Sequence, residues 1–297
     1  MNYPFGRGWT RAFPYLGLLP ALLLYTLFLV GPSLSTIVLS FTNISGVPDT
    51  PWQFIGTANY REFFSPALSR DNLDALGRTF IFCISVTLIQ NAIALLLAVI
   101  LNTRLMGHLF FRALFFMPVV LGVTIIGLTW SLVFNPVDGP AEHLLGLFGQ
   151  NSAFFGSYTA AFPLVIAIQI WSAMGYSLVI FLAGLQTIPQ ELVEAGRVDG
   201  ANGWQVFYGI TFPLLRPSVT ANVLLAIIGS LQTYQIIYVL TRGGFNTSVL
   251  GLAIFSTGFA GSQRQGYASS LSVLQFLIVL FVALLAQLYL RRKEVQL

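Results

Sequence analysis

Six stretches of this chain are apolar over at least the length that an α-helix needs to cross a bilayer, roughly 20 residues. None of them contains Asp, Glu, Lys or Arg. They cover about residues 13–41, 80–101, 114–134, 160–185, 219–240 and 269–290. Hydrocarbon offers no partner to an open N–H or C=O, so such a run closes its own hydrogen bonds as a helix. Composition agrees, with 56% of residues hydrophobic and 8% charged, against about 45–50% and 25% in soluble domains. The predicted fold class is all-α: a polytopic membrane protein of six transmembrane helices, forming one domain over residues 1–297.

Details within the runs refine this. A bend is expected near Pro20 or Pro32 in the first run and at Pro118 in the third. Gly175 allows close helix approach in the fourth. The first run follows Arg7 and Arg11, as in a secretory signal, but it is too long for one and no small-residue cleavage site follows. Val249–Phe259 is too short to span and is expected as an interfacial or half-inserted helix on the outer side. Cys83 is the one cysteine, so the chain cannot form an internal disulfide. His108 and His143 stand alone, and no metal-ligand spacing exists. The net charge of +4 does not point to nucleic acid, because the basic residues are scattered and form no patch.

Orientation follows from those basic residues. With the N-terminus inside, the inner segments hold Arg7, Arg11, Arg104, Arg112, Arg197, Arg216, Arg291, Arg292 and Lys293. The outer segments hold Arg61, Arg70, Arg78, Arg242 and Arg264. Three of these outer residues lie in the long first loop, where charge bias counts for less. Residues 135–159 contain acids but no Lys or Arg, which fits the outside. Six spans then place both termini and segment 186–217 in the cytoplasm.

Segment 186–217 is the longest polar island in the apolar second half. Pro189 suits a first helical turn. Asp199-Gly200 signals a turn, and Gly200 can take the left-handed conformation that ends a helix. Val206, Phe207 and Ile210 fall on one face of a second short helix, which Pro213 is expected to break. On spacing alone, this grammar fits a surface hairpin between two spans equally well.

Glu194-Ala195, Asp199-Gly200-Ala201, Phe207, Ile210, Pro213 and Pro217 resemble the "EAA" loop of ABC-type importer permeases, with Gly196 where that family more often has Ala. Phe54-Ile55-Gly56-Thr57-Ala58-Asn59-Tyr60 is similar to the "GxxNY" element of carbohydrate-type permeases. Phe111-Arg112, shortly before Pro118, resembles the lead-in to the family's third span. Thr241-Arg242-Gly243-Gly244 resembles its "T-x-G-G-P", with Phe245 in place of the proline. Gly266-Tyr267-Ala268-Ser269 resembles the lead-in to the last span. In this order the matches cover most of the chain from Phe54 onward. The chain is identified as a member of the sugar-type permeases, resembling the larger permease subunit of the maltose transporter.

The resemblance implies a bacterial inner-membrane protein whose loop docks on an ATP-hydrolysing subunit. Glu194, Ala195, Asp199, Gly200, Ala201, Phe207 and Pro213 would be the coupling residues. It also implies a second homologous permease, two ATP-binding subunits and an extracytoplasmic solute-binding protein as partners. The chain itself has no G-x-x-x-x-G-K-[ST] and no dinucleotide-type Gly loop, so it binds no cofactor of its own. ATP and Mg belong to the partner ATPase, and the chain is not an enzyme.

A secondary transporter usually carries Asp, Glu, His or a cation within its spans for the coupling ion. None stands there, and a channel would not need the loop. An ionic cargo in a low-dielectric path would also meet a compensating charge. The intramembrane polar groups are instead neutral: Gln90, Asn91, Thr124, Gln169, Ser172, Ser230, Gln232, Thr233 and Gln235. They suit a neutral sugar or polyol, or they hydrogen-bond one helix to another. Trp130, Trp171, Tyr176, Tyr234 and Tyr238 can stack on sugar rings or anchor at the membrane interface. Ala226, Gly229, Ser230 and Thr233 recur at helical spacing, and Gln169 and Ala173 pair on the preceding span. The candidate substrate path is therefore Gln169, Ala173, Gly229, Ser230 and Thr233, with Asn91 and Thr124 next in line. Helix-to-helix packing explains the same stripe. Import of another solute, such as a sugar phosphate, is the alternative function, and gradient-driven transport the outsider.

Overall fold

A computed structural model describes residues 17–65, 69–103 and 106–292. Arg7, Arg11, Arg104, Lys293 and the expected start of the first run at Phe13 lie outside the described residues. The helices are α1 (Gly17–Leu39), α2 (Ala58–Phe63), α3 (Ser69–Leu101), α4 (His108–Val120), α5 (Val123–Val133), α6 (Pro140–Gly146), α7 (Ala161–Gln186), α8 (Gln190–Val198), α9 (Gly203–Leu231), α10 (Gln235–Thr241), α11 (Leu250–Ala260) and α12 (Gln265–Arg291). Among the described residues, β pairing is limited to one isolated bridge, Thr42 to Phe54. Helices α1, α3, α7, α9 and α12 are long and apolar enough to cross a bilayer, and α4 with α5 makes a sixth span if the bent pair is counted as one.

The chain divides into two compact units. The first comprises its described residues up to Ser65 together with Ser256–Leu274. Here α1 is exposed along its length, and the hydroxyls of Ser33, Ser35 and Thr36 bond back to carbonyls four residues earlier. The chain beyond α1 is tied down by Asn59, whose amide donates to the carbonyls of Ser40 and Thr42 at 2.9 and 2.8 Å. Tyr60 shares a 2.7 Å hydrogen bond with the Ser40 hydroxyl. The Asn-Tyr element therefore satisfies carbonyls that a helix end leaves open.

The same region is strapped to the lead-in of α12. Gly46 N–H donates to the Gln263 carbonyl and Gly266 N–H to the Ile44 carbonyl. A Cβ on Gly266 would strike the Thr42 carbonyl, so only glycine allows this approach. Arg264 grips Glu62 with both terminal nitrogens, at 2.7 and 2.6 Å. This hydrogen bond, ahead of simple charge attraction, holds the Glu62 carboxyl below its usual range against the opposing effect of burial.

The second unit is the bundle of α3 to α10, with the Leu250–Phe255 part of α11 and α12 from Gln275 on. Helix α3 begins well before the expected start near Phe80, because its polar first turns are helical too. Asp71 lies in the first turn, and Asp74 pairs with Arg78 one turn on. Helix α7 packs along α3, with Ala94 and Ala98 facing Leu178, Phe181, Leu182 and Leu185 in a buried cluster. Nearer the other end, Phe82, Val86, Val165 and Ile168 pack with Ile236 and Ile237 of α10. Gly175 lies where a Cβ would collide with the Phe115 carbonyl, which brings α7 and α4 into backbone contact, as the sequence suggested.

Three expectations are corrected. The third span does not merely bend at Pro118. It breaks at Leu121-Gly122, both extended, and its halves meet at 101°. Pro213 does not break the loop's second helix. A π turn over Phe207–Thr211 shifts the register, so Pro213 stands at the second position of the α-helical segment that follows. A missing N–H is tolerated there, and α9 runs unbroken from Gly203 to Leu231. The fifth span then stops nine residues short of Leu240. The open Leu231 carbonyl accepts from Gln275 Nε2 at 2.7 Å, and Gly251 seats against the carbonyls of Gln232 and Thr233. The first contact satisfies a backbone group freed by the break, as an apolar surrounding requires, and the second lets α11 approach the break closely.

Candidate functional site

The loop between α7 and α9 is built by two end caps. Helix α8 begins after Pro189, with Glu191 in its first turn and Arg197 in its last, each matching the sign of its helix end. At its other end Gly200 has φ +86°. Gly200 N–H bonds the Arg197 carbonyl and Ala201 N–H the Gly196 carbonyl, the paired closure of a Schellman turn. Two residues past the glycine, Asn202 caps α9. Its side chain accepts from Gln205 N–H at 3.0 Å, while the Gln205 side chain accepts from Asn202 N–H at 2.8 Å. This capping box was missed in the sequence, although Asn-x-x-Gln before Val206 and Phe207 was there to find it.

Gly196 has a local reason. A Cβ there would meet Ile210 Cδ1 at 2.6 Å, so glycine lets α9 lean against α8. Val206 is buried beneath the loop, and Phe207 and Ile210 are half-buried. Glu194, Ala195, Asp199 and Gly200 are exposed, and Ala201 and Pro213 half-buried. Among the described residues, neither Glu194 nor Asp199 forms an ion pair with Arg197. The outer surface is not wholly polar. Val198 is 86% and Trp204 72% exposed, and Trp204 stacks on the exposed Tyr208 at 5.8 Å. Behind the loop, a cavity of about 660 Å³ is lined by Val193, Glu194 and Arg197 on one side and by Val99, Asn102 and Leu185 on the other. The inner face of α8 thus stands clear of the span ends.

The intramembrane candidates are less gathered. Gln169 and Ala173 are half-buried on α7. Gly229 is exposed and would meet nothing if it carried a Cβ. Ser230 is buried, its hydroxyl turned to the carbonyls of Ala226 and Ile227 in its own helix. Thr233 lies in the break after α9, off the helical stripe where spacing had placed it. Four of the five candidate aromatics are engaged with other rings: Trp130 edge-on to Trp171, and Tyr234 and Tyr238 against Phe255. Tyr176 is exposed.

A family model described as "Binding-protein-dependent transport system inner membrane component" matches residues 93–295, which include the capped loop and every span from α4 on. The chain belongs to this family. The permease is 31% identical over 283 residues, 94% of its length and 93% of the relative's, to the multiple sugar-binding transport system permease protein MsmF of Streptococcus mutans. It is 30% identical over 268 residues, 90% of its length and 89% of the relative's, to the trehalose/maltose transport system permease protein MalF of Thermococcus litoralis. Its fold matches a chain of a bacterial ABC transporter involved in importing the acidic polysaccharide alginate. That match has a TM-score of 0.83 at 21% identity, covering 96% of the permease and 98% of that chain. The permease is thus a multi-pass inner-membrane transport component and not an enzyme.

Proposed function

We propose that this permease carries a neutral sugar or polyol across the bacterial inner membrane, driven by ATP hydrolysis in a separate subunit. The observation that carries the reading is the loop between α7 and α9. Both of its helix ends are capped, it presents exposed Val198, Trp204 and Tyr208, and it continues without a break into a membrane span. A surface hairpin needs none of this rigidity. A docking element does, because α9 is a 29-residue helix, about 44 Å long, and a push on its loop end moves its intramembrane end as well.

In the assembled importer, two ATP-binding subunits grip this loop and that of a second homologous permease from the cytoplasm. An extracytoplasmic solute-binding protein delivers cargo on the other face. Both termini of the permease are cytoplasmic. The absence of ionised side chains from the apolar runs 80–101, 114–134, 160–185, 219–240 and 269–290, and the sugar-named relatives, support a neutral carbohydrate cargo. Cargo passes between α7 and α9, by Gln169, Ala173, Gly229, Ser230 and Thr233. The test is copurification with the ATPase, followed by ATP-dependent uptake of radiolabelled maltose, trehalose, mannitol and glycerol 3-phosphate into proteoliposomes holding the binding protein. Uptake of a neutral solute is expected. Uptake of glycerol 3-phosphate alone would refute the neutral cargo, and uptake driven by an ion gradient without ATP would refute the coupling.

A further inference from the structure

Two of the hydrogen bonds joining α3, α7 and α9 within the membrane meet at one residue, Ser177. Gln90 Nε2 donates to the Ser177 hydroxyl at 2.9 Å, and Asn222 Nδ2 donates to the Ser177 carbonyl at 3.1 Å. Gln90 is 5%, Ser177 2% and Asn222 1% exposed. Ser177 follows Gln169 and Ala173 at i+8 and i+4, so it lies on their face of α7. Asn222 precedes Ala226 and Ser230 at the same intervals and lies on their face of α9. The two stretches that carry the proposed path are therefore pinned together on the side nearest the loop. Closer still to the loop, Gly184 lies against Ser218, and Leu182 and Leu215 are buried in one cluster.

The pin is chemically incomplete. Among the described residues, Asn222 Oδ1 is buried with no partner, and so is the Oδ1 of Asn91, whose amide bonds the Thr87 carbonyl. An idle acceptor in an apolar bundle costs stability that a leucine of similar size would not. Packing alone does not call for an asparagine here.

We propose that Gln90, Ser177 and Asn222 form a hydrogen-bonded latch that closes the loop-side end of the cargo path, and that Asn222 Oδ1 accepts a hydroxyl of the cargo as the latch parts. The proposal rests on the path lying between α7 and α9. Bonds between membrane helices are weak enough to break and re-form in each cycle. A polyol supplies the donors that the amide oxygen lacks, so opening the latch strands few polar groups.

The test uses the whole transporter, with its partner permease and ATPases, in right-side-out and inverted membrane vesicles. In a Cys83→Ser background, Ala226→Cys lies just behind the latch as seen from the loop, and Thr233→Cys lies toward the far end. Both are labelled with a charged methanethiosulfonate, without nucleotide and with ATP plus vanadate. In the state where Ala226→Cys is least reactive from the loop side, Asn222→Leu is expected to raise its labelling rate about tenfold. Ser177→Ala removes only the acceptor for Gln90, and is expected to raise the rate less. It carries the test if Asn222→Leu fails to assemble. Unchanged rates in both variants, with Thr233→Cys still reactive from the opposite side, would overturn the latch and leave the path standing. If neither thiol reacts from either side in any nucleotide state, the path itself is wrong and the latch falls with it.

Discussion

Gly200 separates a loop that acts through its shape from one that merely connects. Its φ is +86°, and an added Cβ would find no neighbour within 4 Å, so a substitution there acts on the backbone alone. An L-residue in the left-handed region costs about 1–2 kcal/mol, a factor of roughly 5–30 in the population of the closed turn. Asn tolerates that region best, so coupling should fall in the order wild type, Gly200→Asn, Gly200→Ala, Gly200→Val. Gly203 is the matched control. It too would meet nothing, but it is the first residue of α9, and Gly203→Ala should be neutral or stabilising by up to about 1 kcal/mol. The measurement is solute taken up per ATP hydrolysed by the reconstituted transporter, with ATPase copurification as a check on docking. If Gly200→Val couples as well as wild type, or Gly203→Ala loses as much as Gly200→Ala, the turn is not the coupling device.

Four further outcomes are expected. Asn202→Ala removes the capping box and should cost about 1 kcal/mol, read as a lower thermal midpoint in detergent together with weaker ATPase retention. Gly175→Ala drives a Cβ into the Phe115 carbonyl and to within 2.9 Å of Phe116 Cα. It should cost about 1–3 kcal/mol, whereas Gly146→Ala, which meets open space, should change little. The Glu62–Arg264 pair stabilises fully above the usual glutamate range, near pH 4.3. Its contribution is lost as pH falls through the lowered Glu62 value. With both side chains partly exposed this is worth less than about 1 kcal/mol, and Glu62→Gln should remove that part of the pH dependence of thermal unfolding. Thr233→Val keeps shape but removes the hydroxyl, so under the path reading uptake weakens while stimulation of the ATPase by loaded binding protein persists; normal uptake would exclude Thr233 from the path.

The spans were legible because apolar length alone specifies them. The loop turn was legible because Asp199-Gly200 is a local signal whose geometry needs no distant partner. Part of what was not legible depends on contacts between segments, and part on local geometry such as the Asn202 capping box and the π turn. The break at Leu121-Gly122 lies on elements pressed against others, Gly127 against Val239 and Gly175 against Phe115, and no periodicity announces those. Pro213 was misread because the rule that proline ends a helix assumes an uninterrupted α register, which the π turn before it removes. Thr233 looked like part of a stripe only while the fifth span was taken to continue past Leu231. Ser230 counted as a free hydroxyl by composition, although its bonds go to its own helix. Asn59 and Gly266, noted separately as family-like elements 207 positions apart, owe their identities to a shared contact with the chain around Thr42.

The π turn at Phe207–Thr211 also sets an angle. Its closing bond runs from Phe212 N–H to the Phe207 carbonyl, so one more residue is wound in than an α-helix would hold. Each α-helical residue turns the chain by about 100°. That single residue therefore clocks the face bearing Trp204 and Tyr208 against the face bearing Asn222 and Ser230. A chain one residue shorter between Val206 and Phe212 could keep a regular helix with the same surface chemistry at both ends, yet present the wrong side to one of them. In this stretch residue count, more than residue identity, sets the angle between the two faces.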